Sequence, residues 1–169
     1  MTQTTLVLGG ARSGKSAYAE ALIEALAPQR LYLATGAAHD AEMAQRIAEH
    51  RARRGEGWQT LEAPLEIAEA IAQAQVPVLV DCLTLWLSNL MFEERDPGPE
   101  TEALIGALEA AANPVALVSN ELGMGLVPET ALGRAFRDEQ GRLNQRIAAA
   151  CSRVVFVAAG LPLALKGAL

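Results

Sequence analysis

Eight consecutive residues near the start of the chain have the types and spacing of a phosphate-binding loop. They are Gly9, Gly10, Ala11, Arg12, Ser13, Gly14, Lys15 and Ser16. They match the pattern G-x-x-x-x-G-K-[ST], in which glycines permit a tight turn whose backbone N–H groups converge on phosphate oxygens. The Lys15 ammonium would reach the terminal phosphates, and the Ser16 hydroxyl would bind Mg²⁺. This segment, called the phosphate loop below, predicts a nucleoside triphosphate site.

A carboxylate that follows a later apolar segment is a second candidate for the same site. Asp81 comes directly after the aliphatic residues 78–80, and Asn120 and Glu121 end another apolar segment. Ligands of open α/β sheets bind at the carboxyl ends of the strands, so these side chains are expected near the phosphate loop. Asp81 would then support Mg²⁺, directly or through water. The alternative is that Asp81 only caps the end of its strand.

A histidine among arginines is the third feature with possible chemistry. Arg46, His50 and either Arg53 or Arg54 have the spacing i, i+4 and i+7 or i+8, which places them on one face of a helix. Guanidinium groups hold phosphates, and a neutral imidazole is a nucleophile toward phosphorus. The competing interpretation is a solvated helix that starts acidic and ends basic, as the helix dipole favours. The residue pattern leaves both interpretations open.

The elements that must position these residues alternate along the chain. The predicted strands are Thr5–Leu8, Leu31–Ala34, Val78–Val80, Val115–Val118 and Val154–Ala158, with a short edge strand at Gln59–Ala63. The predicted helices are Lys15–Leu26, Asp40–Arg54, Leu65–Ala74, Leu83–Glu94, Glu100–Ala112 and Leu132–Cys151. Such alternation predicts a three-layer α/β fold with a mainly parallel sheet. The segments Arg95–Pro99 and Met124–Leu132 are predicted to be irregular.

Length and composition limit the class of protein. The 169 residues are the usual size of one domain, so residues 1–169 are predicted to form a single nucleotide-binding domain. A net charge of −6 opposes nucleic-acid binding. Two cysteines, no signal-peptide pattern and no stretch long enough to span a membrane predict a cytoplasmic protein without membrane insertion.

Taken together, the motifs resemble the bifunctional adenosylcobinamide kinase / adenosylcobinamide-phosphate guanylyltransferase family of cobalamin biosynthesis. The matching stretches are GGARSGKS at Gly9–Ser16, Arg46–Arg54 with Trp58, Thr60 and Glu62, VDCLTLWLSN at Val80–Asn89, VSNELGMGLVPE at Val118–Glu129 and FRDEQGRLNQRIA at Phe136–Ala148. Their order, spacing and the total length all fit the family. Many families share a phosphate loop, but its combination with SNELGMGLVP is far more specific.

The resemblance implies a RecA-like P-loop NTPase fold and two reactions. A nucleoside triphosphate, ATP or GTP, phosphorylates the aminopropanol hydroxyl of adenosylcobinamide. GTP then donates GMP to that phosphate through a covalent GMP–histidine intermediate, giving adenosylcobinamide-GDP and pyrophosphate. By resemblance, the nucleophile is His50, and the protein is a homotrimer that uses Mg²⁺. The nucleotide contacts implied beyond the phosphate loop are Ala34, Thr35, Gly36, Arg51, Ala52, Arg53, Arg54, Glu62 and Asp81.

Two other functions compete with this one. A monofunctional P-loop kinase for a small alcohol or nucleotide would use Lys15, Ser16 and Asp81 in the same way but would form no adduct on His50. An ATP-binding module of a larger assembly would hydrolyse a triphosphate without an acceptor. The sequence has no N-K-x-D signature for guanine, so the preference for GTP rests on the resemblance alone.

Overall fold

A computed structural model describes residues 3–36 and 55–169 of the chain. The helix predicted at Asp40–Arg54 lies outside the described residues. The strands are β1 (Thr4–Gly9), β2 (Arg30–Ala34), β3 (Trp58–Glu62), β4 (Val78–Asp81), β5 (Val115–Asn120), β6 (Arg153–Ala158) and β7 (Leu161–Lys166). The described helices are α1 (Lys15–Glu24), α2 (Ile67–Gln73), α3 (Leu83–Phe92), α4 (Pro97–Ala110) and α5 (Ala131–Ala150).

All seven strands form one sheet in the order β3-β2-β4-β5-β1-β6-β7. Every neighbouring pair is parallel except β6 and β7. Strand β1 lies inside the sheet, and all six of its residues are buried. A parallel strand covered on both faces needs apolar side chains on both, which is why β1 contains the consecutive aliphatic residues Leu6, Val7 and Leu8. The predicted α/β fold with a mainly parallel sheet is confirmed.

The two faces of the sheet pack into separate hydrophobic clusters. Successive side chains of β1 point to opposite faces. Leu6 and Leu8 therefore join the larger cluster, which includes residues of α2, α3, α4 and α5. Val7 joins the smaller cluster, which includes Ala19 and Ile23 of α1. Among the described helices, α1 therefore covers one face of the sheet, and α2, α3, α4 and α5 pack on the other. No helix in the described part of the chain is long and apolar enough to cross a membrane.

Two local predictions need correction, and a third is confirmed. The short edge strand expected at Gln59–Ala63 is present as β3. Strand β7 was not predicted. It follows β6 after a two-residue turn, with Ala159 and Gly160 at φ 51° and 78°, and its three leucines are exposed, unlike the buried aliphatic residues of the predicted strands. Segment Arg95–Pro99 is not wholly irregular, since α4 begins at Pro97.

The start of α4 has a clear physical reason. The Asp96 carboxylate accepts a hydrogen bond from Gly98 N at 2.9 Å, so it satisfies one of the backbone donors left free at a helix N-terminus. Proline is tolerated at the first helical position because the helix requires no N–H there. The turn-forming residues therefore begin a helix instead of a loop.

Candidate active site

The phosphate loop connects the buried end of β1 to the first residue of α1. Lys15 is the first helical residue, and Gly14 is the N-cap, with a left-handed φ of 94° that favours glycine. The loop turns tightly, with Ser13 N donating to Gly10 O at 3.3 Å. The positive end of α1 is therefore directed at the loop, which is the arrangement that binds phosphate.

The turn between β6 and β7 braces this loop from behind. Gly160 N donates to Ser13 O at 2.8 Å. A Cβ atom on Gly9 would lie 2.5 Å from the Val157 carbonyl oxygen, and one on Gly14 would lie 3.2 Å from the Gly160 Cα. The glycines of the motif thus allow the loop to pack closely against the end of β6, in addition to permitting its turn. The motif alone gave no sign of this packing.

The Lys15 side chain curls back over the loop. Its Nζ atom donates to Gly10 O at 3.2 Å, and the residue is half-buried. The ammonium and the helix N-terminus therefore add two positive groups to the loop, which also contains the exposed Arg12. Together they fit the charge of a triphosphate.

Other residues predicted to contact the nucleotide lie at the carboxyl ends of their strands, on the same edge of the sheet as the phosphate loop. Gly9 pairs in register with Asn120 of β5, and Glu121 N donates to Gly9 O at 3.1 Å. On β5's other side, the last residue of β4 is Asp81, which pairs in register with Ala34 of β2. The register continues to Glu62 at the exposed end of β3. Strand order therefore brings Ala34, Glu62 and Asp81 to the edge at which the phosphate loop begins.

Asp81 is held by a residue that the sequence patterns did not indicate. The Tyr32 hydroxyl donates to Asp81 Oδ2 at 2.8 Å, and the Asp81–Cys82 peptide bond is cis. Burial raises the pKa of the Cys82 thiol to about 11; the Asp81 charge adds to the rise and the Lys15 charge opposes it. The thiol stays protonated at neutral pH and is not a candidate nucleophile.

The residues at this edge fit a Mg²⁺ ion that accompanies a nucleotide. Ser16 supplies a hydroxyl on the first turn of α1, and Asp81 supplies a half-buried carboxylate. Mg²⁺ prefers oxygen ligands and is commonly held by one or two protein groups together with phosphates and water. Across residues 3–36 and 55–169, no group of three His, Cys, Asp or Glu side chains forms a self-sufficient metal site. Two oxygen donors of this kind suit a metal whose other ligands are phosphate oxygens and water.

Thr35, a predicted nucleotide contact, is buried and hydrogen-bonded within the protein. Its hydroxyl donates to Cys82 O at 2.8 Å and accepts from Cys82 N at 2.7 Å. Its carbonyl oxygen accepts from the Asn89 side chain at 2.8 Å, and its N–H donates to Asp81 O at 3.2 Å. Thr35 therefore joins the ends of β2 and β4. A direct contact with nucleotide stays a prediction.

We expect Thr35→Val to lower the free energy of unfolding by about 2 kcal/mol, because the buried Cys82 N–H loses its acceptor, whereas the Cys82 carbonyl oxygen keeps the hydrogen bond from Trp86 N at 3.1 Å. Thr35→Ser keeps the hydroxyl and should remain within about 1 kcal/mol of the wild type. Urea unfolding of the three proteins measures the difference. A Thr35→Val protein as stable as Thr35→Ser would show that the hydroxyl bridge contributes little.

Several predicted site residues cannot be compared with the fold. His50, Arg51, Ala52, Arg53 and Arg54 lie outside the described residues, and Gly36 is the last residue before that gap. Their roles stay predictions.

A buried polar cluster, which the sequence patterns did not indicate, fixes the end of β5. Gln140 of α5 donates to Ser119 Oγ at 2.9 Å, and Asn144 donates to Asn120 O at 3.0 Å. Gln140 and Ser119 are fully buried. These residues hold Asn120 beside Gly9, its partner in register. Asn144 lies in one of the family-like stretches, but nothing in the pattern indicated which strand it would contact.

A strand–phosphate loop–helix unit at the carboxyl edge of a mainly parallel sheet defines a P-loop NTPase. Two solved structures have a similar fold. The flagellar accessory protein FlaH from Methanocaldococcus jannaschii is 10% identical with a TM-score of 0.54, over 97% of this chain and 78% of that chain. The RadB recombinase is 16% identical with a TM-score of 0.51, over 91% and 73%. These similarities support the fold alone.

Closer relatives define the family. Residues 5–165 match the family described as cobinamide kinase / cobinamide phosphate guanyltransferase. The bifunctional adenosylcobalamin biosynthesis protein CobP of Pseudomonas aeruginosa is 51% identical over 168 residues, 96% of each chain. Its counterpart CobU of Escherichia coli K12 is 42% identical over 179 residues, 95% of this chain and 98% of that protein. This chain therefore belongs to the cobinamide kinase / cobinamide phosphate guanyltransferase family. It is an enzyme with that bifunctional role in cobalamin biosynthesis, as the resemblance implied.

Proposed function

We propose that the enzyme phosphorylates the aminopropanol hydroxyl of adenosylcobinamide and then attaches GMP to the new phosphate through an adduct on His50. The observation that carries the proposal is that the phosphate loop and Asp81 lie at the same edge of the sheet. Residues 5–165 of the chain also match the family. ATP or GTP is the phosphoryl donor, and GTP is the guanylyl donor.

In the kinase step, the substrate hydroxyl oxygen attacks the γ-phosphorus of the triphosphate. A new oxygen–phosphorus bond forms, the hydroxyl proton is released, the bond to the β–γ bridging oxygen breaks, and the nucleoside diphosphate leaves. Lys15 stabilises negative charge on the transferring group, together with the backbone N–H groups of the phosphate loop. Ser16 and Asp81 would hold Mg²⁺, which supplies further neutralisation of phosphate charge. Ala34 and Glu62 are proposed nucleotide contacts because they end at the same edge.

In the guanylyl step, an imidazole nitrogen of His50 attacks the α-phosphorus of GTP and pyrophosphate leaves. An oxygen of adenosylcobinamide phosphate then attacks the same phosphorus and the imidazole leaves, giving adenosylcobinamide-GDP. Two displacements thus replace one direct transfer. Arg51, Arg53 and Arg54 would neutralise the departing pyrophosphate, and Thr35, Gly36 and Ala52 complete the proposed nucleotide contacts.

We also propose that residues 1–169 form one domain, that the protein assembles as a homotrimer, and that it acts in the cytoplasm. The single sheet supports the first point, because its strands extend from Thr4 to Lys166. Two buried free cysteines, Cys82 and Cys151, are compatible with a reducing compartment. The trimer follows from family resemblance.

Incubation with GTP and Mg²⁺ should increase the intact mass by one GMP, and His50→Ala should abolish this gain. The chain has two histidines, so His39→Ala is a matched control that should keep the adduct. A phosphoramidate on histidine is expected to survive base and to be lost in acid. Phosphorylation of adenosylcobinamide by His50→Ala should largely persist, because the kinase step has a different nucleophile.

Two results would contradict this proposal. If the wild type binds GTP but gains no mass, a monofunctional P-loop kinase becomes the better description. If His50→Ala loses the kinase and guanylyl steps equally, His50 has a structural role instead.

A further inference from the structure

Tyr32 connects the interior of the sheet to the proposed metal carboxylate. It lies on β2 opposite Leu79 of β4, two residues before the register pair Ala34 and Asp81. Side chains two residues apart on a strand share a face, so the phenol ring on this side of β2 reaches Asp81 along that face. Tyr32 is 5% exposed, and its hydroxyl donates to Asp81 Oδ2 at 2.8 Å.

The ring has little freedom to move away from Asp81. Trp58 of β3 packs edge-to-face against it, with ring centroids 6.0 Å apart and an angle of 82° between the planes. Trp58 is itself held by a hydrogen bond from Nε1 to Glu24 Oε1 at 2.9 Å and by the Arg30 guanidinium 5.1 Å above its ring. The donor atom of Tyr32 is therefore held in place by packing and is not a mobile surface hydroxyl.

One hydrogen bond of this kind both orients a carboxylate and leaves it able to bind a cation. Within the described part of the chain, the Tyr32 hydroxyl is the one hydrogen-bond donor to the Asp81 side chain. That bond uses one lone pair of Oδ2 and leaves Oδ1 available to a cation. Carboxylates that bind metals are commonly fixed by such neighbouring donors, and losing one typically reduces metal affinity about 10–100-fold.

We propose that Tyr32 is a positioning residue that orients the Asp81 carboxylate toward the Mg²⁺ of the bound nucleotide. This inference rests on the proposed function, in particular on the metal role of Asp81. Tyr32 does not touch the reacting atoms, so its effect should appear in metal affinity more than in metal-free nucleotide binding. A purely structural tyrosine would instead change stability without changing metal affinity.

The test compares Tyr32→Phe with Tyr18→Phe, the other tyrosine of the chain. Phenylalanine keeps the ring and its contact with Trp58 but lacks the hydroxyl. Mn²⁺ serves as a paramagnetic substitute for Mg²⁺. Its binding to protein saturated with a non-hydrolysable triphosphate is titrated by the loss of the free-ion resonance signal. We expect Tyr32→Phe to raise the Mn²⁺ dissociation constant about 10–100-fold, and Tyr18→Phe to leave it unchanged.

Two further measurements separate the possible explanations. Nucleotide binding in excess chelator reports whether the site is intact without metal, and it should be nearly equal in the wild type and Tyr32→Phe. Thermal unfolding monitors the fold of each variant. A loss of metal-free nucleotide affinity as large as the loss of Mn²⁺ affinity would overturn a role exerted through the metal.

Asp81→Asn distinguishes failure of this inference from failure of the proposed function. If Asp81→Asn weakens Mn²⁺ binding while Tyr32→Phe does not, Asp81 retains its metal role and the inference about Tyr32 is wrong. If neither variant weakens Mn²⁺ binding, Asp81 is not a metal residue, and the inference about Tyr32 is overturned with it. The GMP adduct on His50 is tested by its own mass measurement on the wild type, His50→Ala and His39→Ala, so the proposed function is judged separately from either result.

Discussion

Lys15→Ala is expected to reduce phosphorylation of adenosylcobinamide at least about 100-fold at saturating nucleotide. Lys15 supplies the ammonium that lies over the phosphate loop, and removing one group that stabilises transition-state charge commonly costs about 10²–10³ in rate. Lys15→Arg should not restore activity, because a planar guanidinium is larger than an ammonium and cannot replace it as a compact point charge. The measurement is single-turnover phosphoryl transfer with excess enzyme.

The chain provides a matched control for this experiment in its second lysine. Lys166 lies on β7, where its Nζ donates to Ala148 O and Ala149 O at the end of α5. Lys166→Ala removes the same number of atoms and the same charge far from the phosphate loop, so the rate should stay within about twofold of the wild type. A Lys15→Ala protein with near-normal phosphoryl transfer would show that this loop does not bind the reacting phosphates.

Gly9→Ala is expected to weaken nucleotide binding at least about tenfold, whereas Gly10→Ala should have little effect. A Cβ atom on Gly9 would lie 2.5 Å from both Ser13 Oγ and the Val157 carbonyl oxygen, and the latter belongs to the backbone of β6 and cannot rotate away. The loop would have to move, and its N–H groups would no longer converge on one position. A Cβ on Gly10 meets nothing within 4 Å.

Equilibrium dialysis with a non-hydrolysable triphosphate gives the two affinities, and thermal unfolding shows whether the variants remain folded. The comparison is informative because Gly9 and Gly10 are adjacent in the phosphate loop. Each substitution adds a single methyl group to the wild-type protein. Equal affinities for Gly9→Ala and Gly10→Ala would mean that packing against β6 does not set the conformation of the loop.

The outline of the fold and one side of the site could be predicted from the sequence. Short aliphatic strands alternating with helices predicted a parallel sheet between helices, and β1, β2, β4, β5 and β6 appear within one or two residues of their expected positions. The phosphate loop could be predicted because its glycines, lysine and serine are consecutive, so local backbone geometry determines their arrangement. Asp81 could be placed at the same edge because its strand ends there.

The remaining contacts join residues that are distant along the chain. Tyr32 and Asp81 are separated by 49 positions, and Thr35 and Cys82 by 47. No periodicity relates residues so far apart, so their contacts could not be predicted. In its local sequence, each has the pattern of an ordinary residue within a strand or at a helix end. The close approach of Gly9 to Val157 is likewise created by the pairing of β1 with β6.

The sequence by itself therefore determined the class of fold, the phosphate loop and the family to which the enzyme belongs. These properties depend on residues that are close together along the chain, or on the order of motifs. The tertiary structure alone decided that β5 separates the phosphate-loop strand from the strand of Asp81, and that β7 completes the sheet. It also decided that Tyr32 holds the Asp81 carboxylate and that the β6–β7 turn braces the phosphate loop. Strand order and side-chain packing are set when both faces of one sheet are buried at the same time. A local sequence pattern does not indicate which distant residues will then be in contact.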